Sequence, residues 1–375
     1  MDSLESPGDS TSVSFDIGGR TLEAGAPGFE QAVRDAYAAR CRPRCLCRPD
    51  GVEMYVARLG DGHVVKRMPE SGHRHAPGCP SFGLPAEIPG LSRVLGRAIV
   101  EPPGSGETSL RLAFSLTRGP GRPPQRRSIT APGKASGTGS GSGSGAGLSL
   151  RGLLHYLWDQ AGLTRWHPGF AGKRSWALVR RQLLRAADRK FAGASPLPEK
   201  LYVPEPFSVE ARDRIRALQD AAWSGTASPP GGRQQLMLMI AEVKRILPGR
   251  HGFHAVIRHV PDIAFSLDEP LYRRTGRRFV QELAVWGASE GVRMVMGATF
   301  GLGAAGTPAI ASLCLMPVTR QWLPLETLVE LQLIERLIRE GRAFRKVLRY
   351  DLGRAERIAS VALIDRGDPA PLIFA

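Results

Sequence analysis

Two short clusters limit what this chain can fold into more than anything else in it: Cys-Arg-Pro-Arg-Cys-Leu-Cys at 41–47 and His-Arg-His-Ala-Pro-Gly-Cys at 73–79. They hold four of its five cysteines. Between them, residues 54–68 alternate apolar and polar side chains around Gly60, Asp61 and Gly62, the pattern of a β-hairpin with a tight turn. A hairpin returns its end beside its start, so Cys45 and Cys47 meet the 73–79 segment in space. Cysteines two apart can both ligate one ion, and His75 with Cys79 supplies the second pair. This is the donor set of a small structural zinc site. Cys41 and His73 stand near enough in sequence to replace one of the four. No Glu sits beside the ligands to serve as a base, so a structural role is expected rather than a catalytic one.

The metal module is a small part of 375 residues, a length that allows two or three domains. Its balance is basic, with 51 Lys and Arg against 35 Asp and Glu, and the formal charge is +16. Such a surplus points to a polyanionic partner, nucleic acid ahead of acidic lipid. Asp2, Glu5 and Asp9 without an apolar run do not make a signal peptide. An odd count of five cysteines in so long a chain is no secreted disulfide framework, and a reducing cytoplasm is expected. Residues 294–319 are uncharged and long enough for a membrane span. However, Gly297, Gly301, Gly303, Gly306 and Pro308 break them into two buried strands with a Gly-rich turn.

The fold class expected is α+β and multidomain. Residues 1–117 form an N-terminal domain around the zinc-bound β module at 41–85. A strand at 13–17 and a helix at 29–40 precede the module, and the helix delivers Cys41 to it. An alternating strand at 110–116 closes this domain. Residues 118–147, rich in Gly, Ser, Pro and Arg, cannot bury apolar surface and read as a flexible linker. A basic helical region spans 148–223, with Leu150, Leu153, Leu154, Leu157 and Trp158 on one helical face and a second amphipathic helix at 176–187. A polar break at 224–233 leads to a mixed α/β domain at 234–375. There, strands are expected at 236–240, 253–257, 344–350, 358–364 and 371–374, and helices at 276–288 and 325–340.

Nucleic-acid contact is assigned to Arg122, Arg126 and Arg127 in the linker, and to Lys173, Arg174, Arg180, Arg181 and Arg185 along the basic 173–190 helical segment. Gly121-Arg122-Pro123 is similar to the core of an AT-hook, though its flanking basic residues are imperfectly spaced. The two helices also suit a helix-turn-helix. A solvated basic linker and a solvated helix face are the plainer readings of each. The alternative function is a Mg²⁺-dependent nuclease, with Glu242, Lys244 and Asp262 on neighbouring strands. The order of the motif is reversed there, since Glu-x-Lys comes first. A second copy around Glu330 and the strands after it lacks the metal Asp, where Ala359 and Ser360 stand. Gly301-Leu-Gly-Ala-Ala-Gly306 matches a dinucleotide turn, but Thr307, Pro308 and an apolar run follow it instead of a helix. The histidines at 251, 254 and 259 read as strand-surface residues. A protein-interaction adaptor, with charge for solubility only, is the third possibility.

Several blocks in order resemble one bacterial family: Val65-Lys-Arg-Met-Pro-Glu-Ser-Gly-His-Arg-His-Ala-Pro-Gly-Cys79, Leu157-Trp158 with Gly172-Lys-Arg-Ser-Trp176, Val203-Pro-Glu-Pro-Phe207, Glu242-Val-Lys244 with His259-Val-Pro-Asp262, Ala298-Thr-Phe300, and Gly341-Arg-Ala-Phe-Arg-Lys-Val-Leu-Arg-Tyr-Asp351. The family is domain of unknown function 1173, whose members are similar to accessory proteins of plasmids and integrative conjugative elements. The resemblance covers nearly the whole chain and brings no established activity. It implies the Cys-x-Cys and His-x3-Cys ligand pattern, here Cys45, Cys47, His75 and Cys79. The function expected is therefore that of a zinc-binding accessory protein in the cytoplasm, non-enzymatic or at least with no activity established. Its partner would be nucleic acid, DNA first, or an assembly on DNA.

Overall fold

A computed structural model describes residues 13–59, 62–102, 106–119, 147–227, 232–249, 252–303 and 306–375. The architecture is mixed α and β, with eight α-helices among the described residues. They are α1 (Phe29–Ala38), α2 (Leu150–Gln160), α3 (Trp176–Ala187), α4 (Leu197–Lys200), α5 (Arg212–Trp223), α6 (Glu269–Arg278), α7 (Val280–Gly287) and α8 (Leu328–Arg339). Most of the linker, with Arg122, Arg126 and Arg127, lies outside the described residues, as does His251.

The largest sheet grows from the apolar runs. Strands Met237–Gly249, Gly252–Ile257, Ala264–Leu267, Pro308–Val318 and Arg293–Leu302 pair in that order, and the last pairs back onto the first. The circuit is closed, so the central strands offer no long free edge. Residues 294–301 are buried throughout, as expected of an uncharged strand covered on both faces. The uncharged run at 294–319 is thus an antiparallel pair, with Arg293 opposite Val318 and Leu302 opposite Pro308. A strand follows the 301–306 glycines where a dinucleotide site needs a helix. No described helix is long and apolar enough to cross a membrane. Phe265, Phe300, Trp223 and Tyr202 meet edge to face inside the large core, with Trp223 and Phe300 centroids 5.3 Å apart.

α2 begins at Ser149, whose hydroxyl accepts from the Gly152 N–H, and α3 at Ser175, which caps the Leu178 N–H. Both pack their leucines and tryptophans into the large core. A smaller core holds the N-terminal sheet, ordered 20–23, 14–17, 44–45, 52–59, 62–67, together with α1. Ala343 and Ile364, from the C-terminal end, close this small core.

Four expectations differ from the structure, each because a distant partner decides the outcome. Of the 110–116 run only Leu110 is in a strand, at the end of Thr108–Leu110, which pairs with Lys190–Ala192 and buries Leu110 in the large core. Thr117–Arg118 pairs with Gln234–Gln235, joining the start of the linker to the end of the polar break. The 276–288 helix is two helices. α6 starts earlier, where Asp268 caps Leu271 with Pro270 in the first turn, and the chain breaks at Phe279. The C-terminal strands shorten to Phe344–Lys346, Val361–Leu363 and Leu372–Ile373, because Lys346, Arg349 and Tyr350 turn into a buried polar network.

His155 of α2 belongs to that network. Its Nδ1 accepts the Tyr350 N–H at 3.1 Å. Burial, and then the Arg151 charge, push its pKa down to about 3. The unfolded chain takes up this proton near pH 6.5, and the native protein only near its depressed value. Stability is therefore full above that range and falls as pH drops, by as much as about 1.4 kcal/mol per pH unit for this group. His155→Gln keeps an acceptor for Tyr350 but does not titrate. Urea midpoints of the variant should fall less steeply from pH 7 to pH 5 than those of the parent. Equal slopes would contradict this account.

Candidate metal centre

Local structure alone brings the ligands together. Cys45 ends the Arg44–Cys45 strand, wedged between Phe15 on one side and Val52 on the other. Cys47 follows on the next turn. The hairpin of Val52–Leu59 and Gly62–Arg67 then carries the chain back. His75 caps the short 3-10 helix Ser71–Arg74, and Cys79 sits in the turn after it, with its N–H on the Ala76 carbonyl. Ligand atoms of Cys45, Cys47, His75 and Cys79 all lie within 4.8 Å of one another, close enough to hold a metal ion. Cys45 Sγ is 3.7 Å from Cys79 Sγ, and His75 Nδ1 is 3.4 Å from Cys47 Sγ and 3.7 Å from Cys79 Sγ. Cys45, His75 and Cys79 are buried, and Cys47 is half-buried.

The electrostatics suit a cation. Cys79 is held below the usual thiol range, first by the Cys45 thiol, then against the effect of burial by His75 and the Ser81 N–H. Cys45, hydrogen-bonded to Cys79 and buried, is pushed up. The cluster thus favours one thiolate before any metal arrives, and the thiolate is the form that ligates. His75 Nε2 is buried without a hydrogen bond, so Nδ1 is the nitrogen aimed at the sulfurs.

Arginines fix the loops, and their role was not visible in the sequence. Arg48 Nε donates to the Arg74 carbonyl at 2.7 Å, and Arg67 to the Ser81 carbonyl at 3.1 Å. Arg165 Nη2 reaches the Gly78 carbonyl at 2.9 Å, and Arg345 the Phe82 carbonyl. Arg48 and Arg67 lie within the 41–79 window, but Arg165 and Arg345 come from far along the chain, which is why spacing did not show them.

Cys41 and His73 are exposed and stand outside the cluster. α1 ends at Ala38, so the chain turns through Arg40 at positive φ before it enters the 44–45 strand. Of the nuclease residues, Glu242 and Lys244 line one cavity, but Asp262 does not join them. Glu242 is buried and bonded by Arg258 and Arg293, whereas Asp262 takes both nitrogens of Arg212 at 2.9 Å and lines a different pocket. Lys244 is exposed. Glu330 is paired with buried Lys346 at 2.9 Å. Of the helix residues, Lys173, Arg181 and Arg185 are exposed. Arg174 instead donates to the Leu163 and Arg165 carbonyls, and Arg180 to Val203 O at 3.0 Å and to Glu205. These two are structural ties rather than a free basic face. α2 and α3 do not form a helix-turn-helix, because the strand Arg165–Trp166 and the 3-10 helix Pro168–Phe170 lie between them where that motif has a short turn.

The family model described as "Protein of unknown function (DUF1173)" matches residues 15–375. No curated protein and no solved structure matches the chain.

The loop closes where Gly72 and Gly83 touch. A Cβ on Gly72 would lie 2.8 Å from Gly83 Cα and 2.7 Å from Arg67 Nη1, whereas one on Gly78 would meet nothing. Gly72→Ala should therefore lower stability by about 1–3 kcal/mol in urea unfolding, the usual effect of overpacking. Gly78→Ala should change it little. Equal effects would show that this contact does not shape the loop.

Proposed function

We propose that this chain, which belongs to the DUF1173 family of proteins of unknown function, is a protein with a structural zinc site that binds nucleic acid through exposed arginine and lysine side chains. One observation carries the zinc reading: the spacing of the four ligand atoms. A tetrahedral zinc ion with Zn–S of about 2.3 Å and Zn–N of about 2.0 Å requires S–S edges of about 3.8 Å and S–N edges of about 3.6 Å. Three of the six edges match closely, Cys45–Cys79 at 3.7 Å, His75–Cys47 at 3.4 Å and His75–Cys79 at 3.7 Å, and all four atoms lie within 4.8 Å of one another. A disulfide would need its sulfurs at about 2.05 Å. Cys45, Cys47, His75 and Cys79 would hold the ion with no open position, as structural sites do. The bound ion would supply folding energy and no chemistry.

The nucleic-acid reading rests on charge left over after internal pairing. Lys173, Arg181 and Arg185 are exposed and, among the described residues, have no carboxylate partner. α6 exposes Arg273, Arg274, Arg277 and Arg278, of which Arg273 is paired to Glu269. DNA of a mobile element is the polyanion that suits the family context, in the cytoplasm where the thiols stay reduced. Phosphate neutralisation would supply the affinity, with the zinc module as scaffold.

Two measurements test these statements. Metal analysis of purified protein should give close to one zinc per chain, lost in Cys45→Ser with Cys79→Ser. Less than half an equivalent in the parent would remove the zinc claim. Duplex DNA should bind more weakly as salt rises. Arg181→Ala with Arg185→Ala should lower the slope of log K against log salt by about two, roughly one per phosphate contact removed. Absence of binding at low salt would discard the nucleic-acid reading and leave the zinc reading intact.

A further inference from the structure

A second cluster of charge lies across the molecule's main sheet, where three strand ends converge. The 237–249 strand leaves its pairing with Arg293–Leu302 and takes up Gly252–Ile257 at an irregularity between Val243 and Arg245. Glu242 stands just before that shift, opposite Val295. Arg258 follows the 252–257 strand and gives its N–H to the Glu242 carbonyl at 2.9 Å. Arg293 opens its own strand, and Arg320 follows the 308–318 strand that ends opposite Arg293. Together with Lys244, Trp286, Glu290, Val243 and Val292, these residues line a cavity of about 180 Å³.

Glu242 sets up the arginines. It is 2 % exposed, and its Oε1 takes Arg258 Nε at 2.9 Å and Arg293 Nη1 at 3.1 Å. Burial opposes its charge, but His259, Arg258 and Arg293 outweigh burial and hold its carboxyl below the ordinary range. Arg293 is also seated over the Trp322 ring, 4.8 Å from its centroid. Each guanidinium has five N–H donors, and the single carboxylate oxygen occupies one from each. Lys244 and Arg320 have no carboxylate partner among the described residues. The lining thus has four cations against Glu242 and Glu290. A metal ion would meet two guanidiniums on the only buried carboxylate, so the pocket selects against cations. Two pre-set guanidiniums with spare planar donors match the oxygens of a phosphoryl group. The cavity is smaller than the 300–1,000 Å³ or so of drug-sized sites, so a phosphoryl head fits and a whole nucleotide does not.

We propose that this pocket, bounded by Lys244, Arg258, Arg293 and Arg320 around buried Glu242, binds a terminal phosphoryl group. The proposal stands apart from the zinc and nucleic-acid readings, since it uses none of their residues. Two sources share this chemistry: a small phosphomonoester and the 5′-phosphate of a nucleic acid.

The test uses the full chain, titrated with inorganic phosphate and followed by its unfolding midpoint. Phosphate should raise the midpoint beyond chloride of equal ionic strength. Lys244→Ala with Arg320→Ala alters exposed side chains only. It should weaken phosphate by about tenfold or more, equivalent to one lost charge-assisted hydrogen bond. Arg336→Ala with Arg339→Ala removes the same charge from exposed positions of α8 and should leave phosphate binding unchanged. A midpoint that does not exceed the chloride control, or equal losses in both double variants, would overturn the site. A 5′-phosphorylated oligonucleotide that competes with phosphate, where its 5′-hydroxyl form does not, assigns nucleic-acid ends. Competition by glycerol phosphate alone assigns a small monoester.

Discussion

The guanidinium of Arg345 is the point on which the separate parts of this molecule meet. It takes both oxygens of Asp159 at 2.9 and 3.0 Å, and it also donates to the Phe82 carbonyl. Asp159 ends the buried helix α2, Arg345 lies in the Phe344–Lys346 strand, and Phe82 belongs to the loop just after Cys79. Burial works against Asp159's charge, but Arg345 and the Thr164 hydroxyl hold its carboxyl below the ordinary range. A pair so enclosed adds little net stability over an apolar substitute, yet removing one partner costs about 3–5 kcal/mol. Its value here is geometric, since three segments from distant parts of the sequence must be placed to satisfy one planar group. The metal loop is therefore fastened to the helical core and the C-terminal sheet rather than hanging from a hairpin.

That fastening explains which features the sequence made legible. The hairpin between the clusters and the ligands Cys45, Cys47, His75 and Cys79 depend on spacing within some forty residues, so period-two alternation and a turn suffice to place them. α3 was equally readable, its bounds fixed by a Ser cap and a run of periodic leucines. What could not be read depends on partners far away. Phe82 and Arg345 are 263 positions apart, and Asp159 and Arg345 are 186. The same holds for Leu110, which opens an alternating run but sits in the Thr108–Leu110 strand, whose neighbour is Lys190–Ala192. Periodicity says that a segment has an apolar face; it does not say which core receives that face.

Charge was the other overestimate. A formal +16 suggests a broad basic surface, yet much of the arginine is spent inside. Arg151 donates to the Tyr350 and Leu352 carbonyls, Arg349 to Gly353 and Glu356, and Arg174 to Leu163 and Gln321. Burial lowers the pKa of Arg174 to about 10 and also lowers that of Arg67. Arginine serves here because its fork satisfies several carbonyls at loop ends where no strand or helix continues. Lys173, Arg181, Arg185 and the α6 arginines remain outside this internal use, and so do the cations around Glu242. These have different geometry: the helices offer an exposed stripe, the Glu242 cluster a walled recess.

The metal cluster gains meaning from the core it completes. The small N-terminal core counts Cys45 and Cys79 among its own buried residues, beside Phe15, Val33, Met54 and Phe82. Without an ion, that core contains a coupled pair of thiols that favours one buried thiolate and an imidazole with an unpartnered nitrogen. An ion bound by four ligands would convert those polar groups into cross-links between the 44–47 and 75–79 loops. From there the chain of contacts is short: Cys79 bonds to the Phe82 N–H, Phe82 to Arg345, and Arg345 to Asp159. An ion held there would therefore bear on the packing of α2 against the C-terminal sheet, a link that no motif within 41–79 could have indicated.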